Sequence, residues 1–172
     1  MFPSFFGAVD RLAGFFSQIA RLVAVGLVVS MIYEVAARYV FNAPTLWAFD
    51  IAYMCTGVLF ILGAAQALKE DAHVRIDFLS MRFPKRLAQR IEGTVFVVVL
   101  FPIFSGLSWI GIRRAFRAWE RGEVEMVSPW APLMWPFYSL LAIGLVILSL
   151  QILVEGLRAY GGKGRLQSQV EI

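Results

Sequence analysis

The chain has 172 residues, of which 59% are hydrophobic and 16% are charged, whereas soluble domains are roughly 45–50% apolar and about a quarter charged. The charges gather in short stretches between long apolar runs, which excludes a free-standing soluble domain and predicts a single all-α integral membrane domain with four transmembrane helices. The net charge of +4 comes from basic residues beside the apolar runs. It therefore favours contacts with membrane lipids, and we expect no nucleic acid as a partner.

The first sixteen residues carry apolar side chains at steps of three and four, with Ser4, Asp10 and Arg11 off this stripe. Such spacing is typical of an amphipathic helix. We therefore predict an N-terminal interfacial helix over residues 1–16, lying in the plane of the membrane surface. The alternative is that these residues simply extend the first membrane span.

The first span is predicted over residues 17–39, although only residues 22–33 form an uncharged run. Arg21 and Arg38 stand roughly 26 Å apart along a helix, so each could extend its charged group to one membrane surface. Glu34 and Arg38 are one helical turn apart and can neutralise each other.

Three further spans are predicted over residues 46–68, 90–112 and 133–155, each matching a long uncharged run. Pro102 lies inside the third span and should kink it. The third helix should also project beyond the bilayer, because charged residues follow helical spacing through Arg113–Arg121. The tail, residues 161–172, is polar, begins with two glycines, and is predicted to be disordered.

The basic residues predict the orientation of the chain. With both termini inside, eleven of the sixteen lysines and arginines fall on the cytoplasmic side and five on the outside. An excess of basic residues marks the cytoplasmic side of a membrane protein. We therefore predict that both the N-terminus and the C-terminus are inside.

Little in the sequence indicates chemistry. The chain has one histidine, His73, and one cysteine, Cys55, and its His, Cys, Asp and Glu residues lack the spacing of metal ligands. We therefore predict no catalytic or substrate-binding residue, no metal site, no cofactor and no enzymatic activity. Glu34, Arg38 and Asp50, in the outer third of the membrane, form either a proton or ion site or an ion-pair cluster that tethers the first helix to the second or to a partner chain; we favour the tether.

Two segments resemble the small permease subunits of tripartite ATP-independent periplasmic (TRAP) transporters, the DctQ-like family. The first is Arg-Tyr-Val-Phe-Asn at 38–42, followed by Trp47. The second is Leu-Gly-Ala-Ala at 62–65, followed by Leu-Lys-Glu-Asp-Ala-His-Val-Arg-Ile-Asp at 68–77. Many members of the family have two acidic residues just after the tryptophan, whereas only Asp50 follows Trp47 here. The motif and interface candidates that the resemblance marks are Arg38, Tyr39, Phe41, Asn42, Trp47, Asp50, Gly63, His73, Arg75 and Asp77.

The resemblance implies a three-part secondary transporter in the bacterial inner membrane. A periplasmic binding protein would deliver an organic acid or similar solute, and a large permease subunit would carry the substrate and sodium sites. The small subunit would be a scaffold beside the large one. The resemblance further suggests that His73 and Arg75 contact lipid phosphate or the partner's backbone, while Asp77 pairs with an arginine. A possible docking surface for the binding protein comprises Arg113, Arg114, Arg117 and Arg121; the alternative is a solvated helix end.

Two rival interpretations remain open at this point. The stronger is a small homo-oligomeric, proton-coupled exporter that uses Glu34 or Asp50. The weaker is a membrane-anchored enzyme or redox subunit, against which the single histidine and single cysteine count. Solute movement by the chain alone in liposomes would favour the exporter.

Overall fold

The computed structural model describes residues 2–70 and 85–160 of the chain. Helix α1 (Phe2–Tyr39) is followed by α2 (Ala48–Lys69). After the gap, α3 (Lys85–Thr94), a π-helix (Val95–Leu100) and α4 (Phe101–Arg121) run on without a break and together form what we call the third span. Helix α5 (Trp135–Tyr160) completes the bundle. Four helices are long and apolar enough to cross a membrane, which confirms the predicted all-α membrane architecture.

Residues 2–39 form one uninterrupted helix, so the boundary expected at residue 16 between an interfacial helix and the first span is absent. Residues 2–16 continue the helix of the first span, and their position relative to the membrane surface stays a prediction. The physical reason is local, because no proline follows Pro3 until Pro44 and nothing else stops the helix. The helix ends where Asn42 adopts a positive φ of 50° and the Ala43 N–H donates to the Ala37 carbonyl at 2.9 Å.

Helix α1 runs antiparallel to α2 and contacts it along most of the length of α2. Ala13 belongs to a buried cluster with Ala65 and Leu68, whereas Ala20 packs with Val58 and Leu62. Small residues on α1 allow the two helices to approach closely, as is common between membrane helices. The order of these contacts places residues 10–33 of α1, rather than 17–39, alongside α2.

The third span contains the irregularity that Pro102 predicts. The backbone winds as a π-helix over Val95–Leu100, and the Phe101 N–H donates to the carbonyl of Phe96, five residues earlier. A proline cannot donate a backbone hydrogen bond, and π-helical turns are one way in which a helix absorbs such a defect. The span then continues to Arg121, as predicted, and ends at Gly122 with a left-handed φ of 57°.

Helix α5 lies at the centre of the bundle and contacts α1, α2 and the third span. In its most apolar 18-residue stretch 44% of the residues are buried, against 6% in the corresponding stretch of α1. Most of the surface of α1 is therefore left without a partner from the described part of this chain.

The loop between α4 and α5 folds back on itself. The Glu125 N–H donates to the Pro132 carbonyl and the Met134 N–H donates to the Glu123 carbonyl, each at 2.9 Å. These bonds, with an isolated bridge between Val124 and Leu133, hold the two arms of the loop together. We call residues 122–134 the outer loop, and use outer and inner throughout for the sides that the sequence predicts.

Candidate functional site: polar clusters at the two ends of the bundle

Glu34 joins the end of α1 to the connection that leads into α2. Its side chain is buried, and its carboxylate accepts hydrogen bonds from Arg38 Nε at 2.9 Å and Nη2 at 2.5 Å. The second carboxylate oxygen accepts bonds from the Thr45 N–H at 3.0 Å and from the Thr45 hydroxyl. Thr45 lies eleven residues further along the chain, so Glu34 determines where the loop returns.

Asp50 and Tyr53 attach the first turns of α2 to the outer loop. Asp50 is 1% exposed and accepts a hydrogen bond from the Ser128 hydroxyl. One turn later, the Tyr53 hydroxyl donates to Glu125 Oε2 at 2.8 Å. Glu34, Arg38, Thr45, Asp50, Tyr53, Glu125 and Ser128 together form what we call the outer cluster.

Glu125 lies in the outer loop, outside the membrane spans. The hydrogen bond from Tyr53, followed by those from the backbone N–H groups of Val127 and Met126, lowers the pKa of the Glu125 carboxyl below its ordinary value. Hydrogen bonds of this kind favour the ionised form of a carboxyl group. At neutral pH the outer loop is therefore tied to α2 by a carboxylate.

The remaining motif residues near the first loop have different surroundings. Trp47 stacks on Tyr33 with ring centroids 5.8 Å apart, which packs the start of α2 against α1. Tyr39 and Phe41 are both more than 70% exposed. Around Gly63 no atom of residues 2–70 or 85–160 lies within 4 Å of the position a Cβ would take, so packing within the described bundle does not require glycine there.

The second motif ends in residues that the structure does not describe. His73, Arg75 and Asp77 lie between residues 70 and 85, outside the described ranges. Their expected contacts with lipid phosphate, a partner's backbone or an arginine therefore stay predictions.

The four outer arginines separate into two groups. Arg114 contacts its own chain: Nη1 lies 2.7 Å from Glu123 Oε2, and the guanidinium stands 4.7 Å from the centre of the Tyr138 ring. The other members of the predicted docking surface, Arg113, Arg117 and Arg121, are exposed at successive turns of α4. Arg113 lies over the Trp109 ring at 5.0 Å. The structure thus gives Arg114 a role in holding the outer loop.

A second polar cluster at the opposite end of the bundle was missed by the sequence analysis. Arg158 of α5 forms ion pairs with Asp10 of α1 at 2.6 Å and with Glu155 at 2.7 Å. Gln151, which is fully buried, donates to Asp10 at 3.2 Å and to Glu155 at 2.9 Å. We call these four residues the inner cluster.

One sequence signal for the inner cluster was present. Gln151, Glu155 and Arg158 stand at steps of four and three on an otherwise apolar helix, so they share one face. Their partner Asp10 could not be identified from spacing, because it lies more than 140 residues away. Among the described residues no group of three His, Cys, Asp or Glu side chains converges on a possible metal position.

Comparison with known proteins identifies the family. A family model described as the DctQ component of tripartite ATP-independent periplasmic transporters matches residues 27–161. The sialic acid TRAP transporter small permease protein SiaQ of Vibrio cholerae is 23% identical over 128 residues, which cover 72% of each chain. The sialic acid TRAP transporter permease protein SiaT of Haemophilus influenzae is 28% identical over 74 residues, covering 43% of this chain and 12% of SiaT. The chain therefore belongs to the DctQ component family of tripartite ATP-independent periplasmic transporters, as a small permease subunit.

Proposed function

We propose that this subunit is a non-catalytic scaffold that holds the large permease subunit in the bacterial inner membrane, with both of its own termini inside. The complex would take up an organic acid or similar solute with sodium, and a periplasmic binding protein would deliver the solute. The observation that carries the scaffold role is the use of the buried carboxylates. Glu34, Asp50 and Glu155 each accept hydrogen bonds from groups of this same chain.

Those bonds connect elements of the bundle rather than line a route through it. Glu34 ties α1 to the first loop, and Asp50 ties α2 to the outer loop. Glu155 shares Arg158 with Asp10 and so helps to tie α5 to α1. Carboxylates committed in this way stabilise one arrangement of helices, as a static support for a moving partner requires.

The match to SiaT supports the large permease as the partner. Only 12% of SiaT matches this chain, so in that protein a segment like this one is joined to a much longer permease sequence. Two pieces that occur in one polypeptide elsewhere are expected to lie side by side when they are separate chains. Both relatives are named for sialic acid, a carboxylate, so organic acids are the first solutes to test.

The exporter alternative requires Glu34 or Asp50 to exchange protons as a solute crosses. Each of these carboxylates is held by a hydroxyl group of a loop, from Thr45 and Ser128 respectively. To bind and release a proton, the carboxylate would have to break these hydrogen bonds, and the loop would detach from its helix in every transport cycle. The scaffold therefore agrees better with the geometry.

Reconstitution into liposomes tests the proposal. Vesicles would contain this chain alone, the large permease alone, or both, with the binding protein and a labelled organic acid outside and an inward sodium gradient. We expect uptake only when both subunits are present. Proton-driven solute movement by this chain alone would overturn the scaffold proposal and support the exporter.

The orientation can be tested at the outer loop, where Met126 is 94% exposed. In a Cys55→Ser background, Met126→Cys should react with a membrane-impermeant maleimide added to intact spheroplasts. A matched variant, Gln89→Cys at the opposite end of the third span, should react only after the membrane is opened. The reverse pattern would show that both termini are outside.

The exposed arginines of α4 are the proposed contact for the periplasmic binding protein. Replacing Arg113, Arg117 and Arg121 by alanine should weaken binding and reduce its dependence on salt, because exposed charges act mainly by screened attraction. A triple lysine variant retains the charge and is the control. Equal binding by the alanine variant would support the solvated helix end.

The His73–Asp77 segment is proposed to anchor the complex at the inner surface. Arg75→Ala should then lower the amount of large permease that co-purifies with this chain, and Arg75→Lys should lower it less. Unchanged recovery and unchanged uptake with Arg75→Ala would dispose of this role.

A further inference from the structure

Arg21 lies at half the height of the bundle. Its neighbour Ala20 packs against Val58 and Leu62, and Val58 stands ten residues after the start of α2 and eleven before its end. At 1.5 Å per residue, Arg21 is therefore roughly 15 Å from either end of α2. The sequence predicts that Arg21 extends to a membrane surface, but the distance to either end of α2 is longer than an arginine side chain.

No group in the described part of the chain neutralises Arg21. The side chain is exposed, and among the described residues it forms no hydrogen bond and no ion pair. Leu22 and Val25, the nearest exposed residues towards the outer end, are apolar and 73% and 62% exposed. A guanidinium group at this depth is costly when it faces hydrocarbon, so such groups in membrane proteins face protein or water.

Arg21 is also the end of a polar row. Arg11, Gln18 and Arg21 are all exposed, and at about 100° per residue they fall within roughly a quarter turn of one face of α1. The row runs from the level of the inner cluster to the middle of the bundle, on a helix most of whose surface has no partner among the described residues. Lipid chains cannot bind either the amide or the guanidinium groups, whereas a second polar helix can.

We propose that this polar row of α1 is the surface on which the large permease docks, and that Arg21 pairs there with a carboxylate on a transmembrane helix of that subunit. This inference rests on the proposed scaffold function and specifies its interface. The carboxylate must lie near mid-membrane, because Arg21 is equally far from both ends of α2. Docking of the two subunits would then depend on one matched charge pair within a largely apolar interface.

Co-purification of the large permease with tagged variants tests the pairing. We expect Arg21→Leu to reduce recovery of the permease at least about tenfold, because loss of one partner leaves the other charge buried and unpaired. Arg21→Lys should retain most of the recovery. The matched control is Arg90→Leu, which removes an exposed arginine from the third span and should leave recovery unchanged.

The variants should fold, since Arg21 has no hydrogen bond or ion pair to lose within the described part of the chain; the elution profile and thermal unfolding of the isolated chain check this. A photo-activated cross-linker at the adjacent position, Leu22, provides a measurement that does not depend on the substitution of Arg21. It should label the large permease. Normal recovery with Arg21→Leu, or cross-links from position 22 to lipid alone, would overturn the inference and leave the scaffold function standing. Failure of the unmodified chain to capture the permease would instead refute the proposed function and this inference with it.

Discussion

A close approach of α5 to the third span provides the most quantitative prediction. At Gly156 of α5 a Cβ would lie 2.7 Å from Val97 Cγ2 and 3.0 Å from the Phe96 Cβ of the π-helix. Carbon atoms in contact normally stand about 3.5–4.0 Å apart. The Phe96 Cβ is bonded directly to the backbone, so the side chain cannot rotate it away. Gly156→Ala therefore forces α5 and the third span apart.

The magnitude follows from a comparison with Gly63, where a Cβ would meet nothing within 4 Å. Alanine is favoured over glycine by about 1 kcal/mol in a helix interior, so Gly63→Ala should stabilise the isolated chain slightly. Overpacking costs typically about 1–3 kcal/mol. Both variants gain the same helix propensity, so this cost is the expected difference between their free energies of unfolding. Gly156→Ala should be neutral or destabilising.

Thermal unfolding of the purified chain in detergent, followed by tryptophan fluorescence, is the assay. At roughly 2–4 °C per kcal/mol for a chain of this size, the midpoint for Gly156→Ala should lie several degrees below that for Gly63→Ala. The reasoning would be refuted if both substitutions shifted the midpoint equally and in the same direction. That result would mean that the two spans do not approach each other closely at the π-helix.

Three further predictions concern the outer loop. Ser128→Ala should destabilise the isolated chain by about 1.5–3 kcal/mol, because it removes a hydrogen bond to the buried Asp50 carboxylate; Ser128→Thr retains the hydroxyl, and equal unfolding midpoints for the two variants would contradict the role. Ala131→Gly should stabilise the chain by about 1 kcal/mol, since Ala131 has a φ of 47° that favours glycine; a lower midpoint would argue against this backbone conformation. Because folding lowers the pKa of Glu125, this carboxylate stabilises the folded chain at pH values above its ordinary pKa of 4.5. This stabilisation is lost as the pH falls through the lower pKa of the folded state. The difference in midpoint between the wild type and Tyr53→Phe should therefore be largest near pH 7 and shrink below pH 4.5; a difference that grew on acidification would contradict the carboxylate bond.

The starts of two helices lie close to those predicted from the sequence. Helix α2 begins two residues after its predicted start and ends one residue after its predicted end, because its apolar run is bounded by charged residues. Helix α5 begins at Trp135, two residues after its predicted start, because the prolines before it cannot lie in a helix interior. Pro102 marked the place where the third span becomes irregular.

The N-terminal helix shows where pattern reasoning fails. An interfacial helix and an extension of a span have the same apolar spacing, so the periodicity of residues 1–16 could not distinguish them. In the structure these residues belong to the same helix as the first span, Ala13 packs on α2, and Asp10 binds Arg158 of α5. The same contacts show that the part of α1 beside α2 lies nearer the N-terminus than the predicted span, which places Arg21 at half the height of α2.

The sequence by itself determined that the chain is a membrane protein, how many helices span the membrane and which family it belongs to, because these properties depend on local composition and on short motifs. Only the tertiary structure decided which polar groups meet. Ser128 binds Asp50 across 78 positions and Arg158 binds Asp10 across 148. Helices that are apolar nearly all round carry no periodicity that tells which face will meet which neighbour, so such pairs follow from the packing of the whole bundle.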